Sequence, residues 1–284
     1  MTDTNHTNRR GSVAWALALS LLSSVLLVAL AFFLALITTV SRPNYMKSQV
    51  RRSNFAGLAY DFLSEDFSSY GAATGFDSDV ICSALSVEQI NTDMEAAVDD
   101  LYAGNTQADP RDDFKAQVNN ILLTNLAERG IEVTEEIEDG VDIVADACRL
   151  DYTNYVAIPL AGQLFGIITK INRILLPCVL VSLLFCIASL VLTVRLAGNA
   201  RLGLRCVTYS FISGALVCLL CATALYPLLG LDNLTLRPES LRSLVLCYLR
   251  GIFGQLGIFA AVFAVAAAVL LVLQFSAKKP RKTV

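Results

Sequence analysis

Residues 13–40 contain no Asp, Glu, Lys or Arg. A soluble core helix seldom needs an apolar run longer than about 14 residues, whereas crossing a bilayer takes about 20. This 28-residue block therefore points to lipid as its surroundings. Three further charge-free blocks follow at 174–194, 206–231 and 251–275. Together they explain how a chain of 284 residues reaches 55% hydrophobic and only 17% charged, with a mean hydropathy of +0.58. That balance is too apolar for an ordinary soluble domain. The blocks predict an all-α integral membrane protein with four transmembrane helices, at 13–40, 173–196, 206–229 and 251–275. A helical extracytoplasmic domain, 41–172, lies between helices 1 and 2. A short cytoplasmic tail, 1–12, precedes the first span, and a basic cytoplasmic tail, 276–284, follows the last.

The first block is an anchor rather than a removable signal. Arg9-Arg10 stands before it, as in a signal peptide or a twin-arginine export signal. Its apolar run, however, is about twice the usual length of roughly 7 to 15 residues, and no small-x-small cleavage site follows. Orientation comes from the short loops. Nine basic residues (Arg9, Arg10, Arg195, Arg201, Arg205, Lys278, Lys279, Arg281 and Lys282) fall on one predicted side, and three (Arg237, Arg242 and Arg250) fall in the opposite short loop. The positive-inside rule then predicts a multi-pass plasma-membrane protein with both termini in the cytoplasm. Arg42, Lys47, Arg51, Arg52, Lys170 and Arg173 flank the long segment and would lie along anionic headgroups, since long segments translocate largely regardless of charge.

Segment 41–172 holds 22 Asp plus Glu against 9 Lys plus Arg, a net charge of −13. A phosphate backbone demands a basic face, so nucleic acid is excluded as a partner. Acidic residues here keep a helical domain soluble. Its punctuation is helical throughout. Pro43 reads as a first-turn residue, followed by the aromatic stretch Phe55, Tyr60, Phe62, Phe67 and Tyr70 up to a turn at 71–75. Ser86-Val-Glu-Gln89 reads as a capping box, with Val87, Ile90, Met94, Val98 and Leu101 as one apolar face and Gly104 as the stop. Asp109-Pro110 reads as cap and first turn, with Phe114, Val118, Ile121, Leu122 and Leu126 buried and Gly130 as terminator. A last helix starts near Thr134, with Ile137, Val141, Val144, Cys148 and Tyr155 as its stripe. These helices share a core thin enough to need support from the membrane ends of neighbouring helices or from a partner.

Of the eight cysteines, Cys82 and Cys148 fall in this domain. Two readings stand side by side. In an exported domain they could close a disulfide contributing about 2 to 4 kcal/mol, or they could pack as two small apolar thiols. Cys218-Leu-Leu-Cys221 has redox spacing but sits in an apolar span, where thiolates are disfavoured, so it reads as packing. Ser210, Gly214, Cys218 and Ala222 recur at four-residue intervals, as do Ala260, Ala264 and Ala268, and both sets suit close helix contact in lipid. Pro177 reads as a first-turn proline of the second span.

The only histidine is His6, in the tail before the first span, which leaves the domain without histidine general-base or metal chemistry. No Gly-x-Ser-x-Gly elbow, phosphate-binding loop or His-Glu-x-x-His run is present. Asp99-Asp100, Asp112-Asp113 and Glu135-Glu136 could pair as acid and base, but each falls on a polar face or in a first turn that favours negative charge. Asp77-Ser-Asp79 and the acids of 132–142 offer oxygen ligands without matching the twelve-residue calcium loop. The expectation is a non-enzyme with no catalytic residue, no cofactor and no metal site. With no charge in the middle of any span, an autonomous pump or channel is disfavoured.

Val87-Glu-Gln-Ile-Asn-Thr-Asp-Met94, Val98-Asp-Asp-Leu-Tyr-Ala-Gly104 and the Pro110 helix with Phe114 and Val118 resemble a group of uncharacterised four-span membrane proteins of Gram-positive bacteria. The resemblance implies a bacterial plasma membrane and no particular activity. The topology is also similar to that of permeases of the cell-division and macrolide-export type, although 12 residues before the first span and 11 in the inner loop leave little surface for a cytoplasmic ATPase. The expected role is structural, sensory or accessory, with the lipid bilayer and another membrane or envelope protein as partners. The alternative is a permease-like subunit of a transport complex.

Overall fold

The computed structural model describes residues 4–105, 112–156, 158, 161–197, 199–230, 233, 235–236 and 238–276. Every regular element among them is helical. In chain order these are α1 (Thr4–Thr39), α2 (Pro43–Arg52), α3 (Phe55–Thr74), α4 (Ser78–Cys82), α5 (Val87–Ala103), α6 (Asp112–Glu128), α7 (Glu135–Val156), α8 (Ala161–Leu196), α9 (Ala200–Leu220), a π-helical turn (Cys221–Leu225), α10 (Tyr226–Leu228) and α11 (Glu239–Ser276). They form two compact units. One comprises Met1–Ser41, Lys170–Asn233 and Leu249–Val284, and the other Arg42–Thr169 and Leu234–Tyr248.

Four helices, the greater part of each in the first unit, are long and apolar enough to cross a membrane, within Ala14–Thr39, Gln163–Leu196, Ala200–Leu225 and Glu239–Ser276. Their outward faces are hydrocarbon: Leu176, Leu180, Leu184 and Ile187 of α8, and Ile258, Val262, Val265 and Val272 of α11, are all more than half exposed. Exposed apolar surface this continuous is foreign to a soluble monomer. Inside, Leu27, Ala31, Cys186, Cys218, Ala260 and Phe263 form the main cluster. The α8–α9 hairpin is tight, because a Cβ placed on Gly203 would lie 2.8 Å from Val194 Cα.

Pro177 lies well inside α8, not in its first turn. The helix begins at Ala161 because its first turns carry apolar residues of their own, so the proline removes one internal i→i−4 bond, the one to Arg173. In the third span the π-helical turn sits immediately before Tyr226-Pro227. Pro227 cannot donate to the carbonyl one turn back, and a local widening of the helix accommodates that missing bond.

The second unit follows the punctuation of its sequence. Pro43 opens α2. Asn54, at φ 53, takes the left-handed conformation at the break before α3, one that asparagine tolerates. The helix α3 then continues through Gly71 to Thr74. Ser86 Oγ accepts from the Gln89 amide at 3.1 Å and caps α5, which ends at Gly104 with φ +83. Glycine is required there twice over, because a Cβ would also meet the Phe165 ring at 2.9 Å. The helix α6 gives way to Gly130 at φ +70, and α7 opens with the Glu138 amide donating to Thr134 O at 2.9 Å. The expected cap at Asp109-Pro110 lies outside the described residues.

The core collects Phe55, Leu63, Phe67, Ile90, Met94, Val98, Phe114, Val118, Leu122, Val141, Cys148 and Tyr152. Each fully buried large side chain contributes roughly 1.5–3 kcal/mol of transfer free energy. Two predicted stripes need correction. Val87 is 45% exposed, because it opens α5 before the helix meets its neighbours. In α7 the fully buried aromatic is Tyr152, with Tyr155 half-buried.

The ends of two long helices complete this core. At 1.5 Å per residue, α8 and α11 are roughly 55 Å long, well beyond the ~30 Å of hydrocarbon in a bilayer. Phe165 and Ile168 of α8 and Leu241 and Leu244 of α11 join the apolar cluster. Ser243 Oγ donates to Ser53 O at 2.7 Å, Cys247 Sγ to Gln49 Oε1 at 3.2 Å, and the Tyr45 and Tyr248 rings meet edge to face at 5.6 Å. Burial raises the Tyr45 hydroxyl pKa, the charge of Cys247 adds to this, and Arg52 opposes it.

Candidate functional site

Ion pairs and hydrogen bonds tie the helices of the second unit to one another. Arg51 grips Glu95 with two hydrogen bonds, one of them 2.7 Å, and Lys47 pairs with Asp99, so α2 is tied to α5. Lys115 of α6 reaches Asp142 of α7 at 2.9 Å and Asp146 at 3.8 Å, while Asn119 Nδ2 donates to Asp142 at 3.1 Å. Arg129 at the end of α6 donates to Asp77 at 2.6 Å and to Gly75 O at 3.3 Å. The hydrogen bond from Arg51 holds Glu95 below the usual carboxylate range, and those from Lys115 and Asn119 do the same for Asp142.

A tyrosine–carboxylate network lies deeper. Tyr152 is 1% exposed; its hydroxyl donates to Asp93 Oδ2 at 2.7 Å, and its ring stacks on Phe114 at 4.1 Å. Tyr70 donates to Asp151, which with burial pushes the Tyr70 pKa to about 12. Burial raises Asp66, the charges of Asp151 and Glu65 raise it further, and a hydrogen bond from Tyr155 opposes them. Sequence reading placed Tyr155 on this face and missed Tyr152 and Asp93. The signal was a tyrosine four residues after Cys148, in phase with the stripe.

Cys82 and Cys148 are both free thiols in the structure. Cys148 is wholly buried, and burial first, then the charges of Asp151 and Cys82, push its pKa to about 12. It therefore stays protonated at neutral pH, where the thiolate is the reactive form. Cys82 donates to Ser64 O at 3.5 Å and lies 3.6 Å from Ser68 Oγ. Among the proposed carboxylate pairs, Asp99 is engaged by Lys47, and Glu135 and Glu136 sit in the first turn of α7. The Asp112 side chain lies outside the described residues. Asp77 is held by Arg129. Among the described residues no three His, Cys, Asp or Glu side chains gather as metal ligands.

Two recesses open on this unit differ in character: one is lined mainly by polar residues, among them Asp79, Ser83, Asn120, Asn125 and Glu128, and the other is largely apolar. The apolar recess, of ≈ 410 Å³, lies between the end of α3, the end of α6 and the start of α7. Phe76, Leu126, Ile131, Ile137, Val141 and Val144 line it together with Thr74 and Arg129, and Ile131 is 41% exposed.

In the first unit, Ser210, Gly214 and Cys218 are buried on one face of α9. A Cβ on Gly214 would lie 3.6 Å from both Leu27 and Phe263, and one on Gly257 would lie 3.7 Å from Ala222. The α11 stripe is different. Ala260 is buried, but Ala264 and Ala268 are exposed, and the inward face runs through Leu256, Ala260, Phe263 and Ala267. A strict four-residue interval advances about 40° per step on a helix of 3.6 residues per turn, so the alanines rotate away from the seam. Serines complete it: Ser23 Oγ and Ser189 Oγ are 2.7 Å apart, Ser20 Oγ donates to Cys206 O at 2.8 Å and lies 3.0 Å from Ser210 Oγ. The visible sequence signal was Ser20, Ser23 and Ser24 inside an otherwise apolar run.

Comparison with models of known protein families, with curated proteins and with solved structures finds no match to this chain.

Proposed function

We propose that this is a bacterial plasma-membrane protein of structural, sensory or accessory type, with both termini cytoplasmic and the acidic helical domain on the outer face. On this reading the domain is not a catalyst. It docks another membrane protein or an envelope component, and the bilayer is the second partner of the chain. The observation that carries the reading is the recess between α3, α6 and α7. Arg129, the charged residue of its lining, is held by Asp77 and the Gly75 carbonyl, and Thr74 donates within α3 to Tyr70 O, while apolar side chains line most of the rest of the hollow, the composition of a recognition surface. The nine-to-three distribution of basic residues in the short loops supports the orientation.

The test is site-specific photocrosslinking in intact cells with the probe at Ile131 or Val144, and at Thr92 on the solvent face of α5 as control. A crosslinked species of one discrete mass at the recess positions and none at Thr92 is the expected result. Equal crosslinking at all three positions would overturn the docking role. Hydrolytic turnover that disappears on replacing one carboxylate pair would overturn the non-enzymatic reading.

A further inference from the structure

Where α9 begins and α11 ends, the two helices part around a cleft of ≈ 360 Å³, within the range of roughly 300–1,000 Å³ typical of ligand sites. Arg201 and Arg205 stand one helical turn apart and line it together. Both are exposed, and neither has a carboxylate partner among the described residues. From residue 152 onward the chain has only Asp232 and Glu239 as acids, and among the described residues no acid lines the cleft. The rest of the lining includes the apolar Leu204 between the two arginines on α9 and Leu271 and Phe275 of α11. Gln274 also lines it and is already held, its amide donating to Thr208 Oγ1 at 2.7 Å and to Leu204 O at 3.3 Å.

Two guanidinium groups with no carboxylate partner among the described residues, beside apolar side chains, match an amphiphile with an anionic head. Arginine presents a planar fork of donors that fits phosphate oxygens. Arg205 lies only about 6 Å along the axis from Arg201, so both heads can reach the same headgroup layer. A free inorganic anion would leave the apolar side chains unused. We propose that this cleft seats one anionic phospholipid, its phosphate on Arg201 and Arg205 and an acyl chain along Leu204, Leu271 and Phe275. Basic pockets between spanning helices select anionic headgroups by this physics. The assignment rests on residence of the chain in a bilayer and does not depend on which face the cleft opens to.

Native mass spectrometry of the full-length protein in nonionic detergent, with added phosphatidylglycerol or phosphatidylcholine, tests it. One retained phosphatidylglycerol is expected, in clear preference to phosphatidylcholine. Arg201→Gln with Arg205→Gln should weaken retention roughly 30-fold, the effect of two near-surface cationic contacts. Arg195→Gln, outside the cleft, should leave it unchanged. Leu271→Trp fills the cleft with both arginines intact and should also abolish retention, which covers the case in which the double variant fails to fold. Equal retention of the two lipids, retention unaffected by the double variant or by Leu271→Trp, an equal loss in Arg195→Gln, or displacement by millimolar inorganic phosphate would each overturn the proposal. Recovery of the chain without detergent would instead remove the membrane reading itself.

Discussion

Replacing Tyr152 by phenylalanine keeps the ring that stacks on Phe114 at 4.1 Å and deletes the hydroxyl that donates to Asp93 at 2.7 Å. A hydrogen bond to a charged group contributes about 1.5–3 kcal/mol. Asp93 is only half-buried, so water can take the place of the lost hydroxyl, and the lower part of that range applies, about 1.5–2 kcal/mol. This corresponds to a roughly 10- to 30-fold rise in the open population of the domain. Cys148, wholly buried one turn earlier on α7, reports it directly. Maleimide can reach its sulfur only through opening, and under slow labelling the rate tracks the open fraction. Peptide mapping separates Cys148 from the other cysteines. The measurement is its labelling rate in the full-length protein for wild type, Tyr152→Phe, Asp93→Asn and the double variant, read as a double-mutant cycle. The expected result is a 10- to 30-fold acceleration in Tyr152→Phe and a much smaller effect of that substitution in the Asp93→Asn background. Equal rates for wild type and Tyr152→Phe, or an undiminished penalty in the Asp93→Asn background, would refute the role assigned to this bond.

Glu95 and Asp66 should shape the pH dependence of stability with opposite signs. Glu95 is held low by Arg51, so its contribution is present above the ordinary glutamate range of about pH 4.3 and is lost as pH falls through the depressed value. Glu95→Gln is predicted to lower Tm at pH 7 and to have no effect in strong acid. Asp66 is raised by burial and by Asp151, so its contribution, present in acid, is lost as pH rises through the raised value. Asp66→Asn should therefore raise Tm at pH 7, an advantage that vanishes below about pH 3.9; thermal unfolding at both pH values checks the pair. Gly203→Val forces backbone atoms apart at the 2.8 Å approach to Val194 and should destabilise the first unit by at least about 1–3 kcal/mol. Gly140→Ala on α7, with nothing within 4 Å of the added Cβ, should stabilise by up to about 1 kcal/mol, both read as Tm shifts. Ser23→Ala with Ser189→Ala removes an interhelical hydrogen bond and should cost only about 0.6 kcal/mol in detergent unfolding.

The caps were legible because they depend on neighbours in sequence: Ser86 meets the amide three residues on, and Gly104 and Gly130 occupy backbone conformations that other residues avoid. The apolar blocks were legible because lipid needs length, and each of the four overlaps a helix long enough to cross. The starts of α8 and α11 were not. Residues 161–172 and 239–250 mix polar and apolar side chains, so no continuous run marks them, and the members that pack, Phe165, Ile168, Leu241 and Leu244, do so against segments far away in the chain. The same cause hid the interior position of Pro177. Tyr152 was overlooked because a tyrosine becomes a core residue only when its hydroxyl finds a partner, and Asp93 lies 59 positions away. The cleft at Arg201 and Arg205 was read only as loop charge, since part of its lining comes from residues near 271–275.

The sidedness of the chain is tested most directly with a membrane-impermeant maleimide and single cysteines introduced as Thr92→Cys on α5 and Ala200→Cys at the start of α9, both exposed positions, in a background whose native thiols are replaced by serine or alanine. Labelling of Thr92→Cys in intact cells, with Ala200→Cys labelled only after lysis, is the predicted pattern. The reverse pattern, or labelling of both before lysis, would contradict an acidic domain held outside by four spans with cytoplasmic ends.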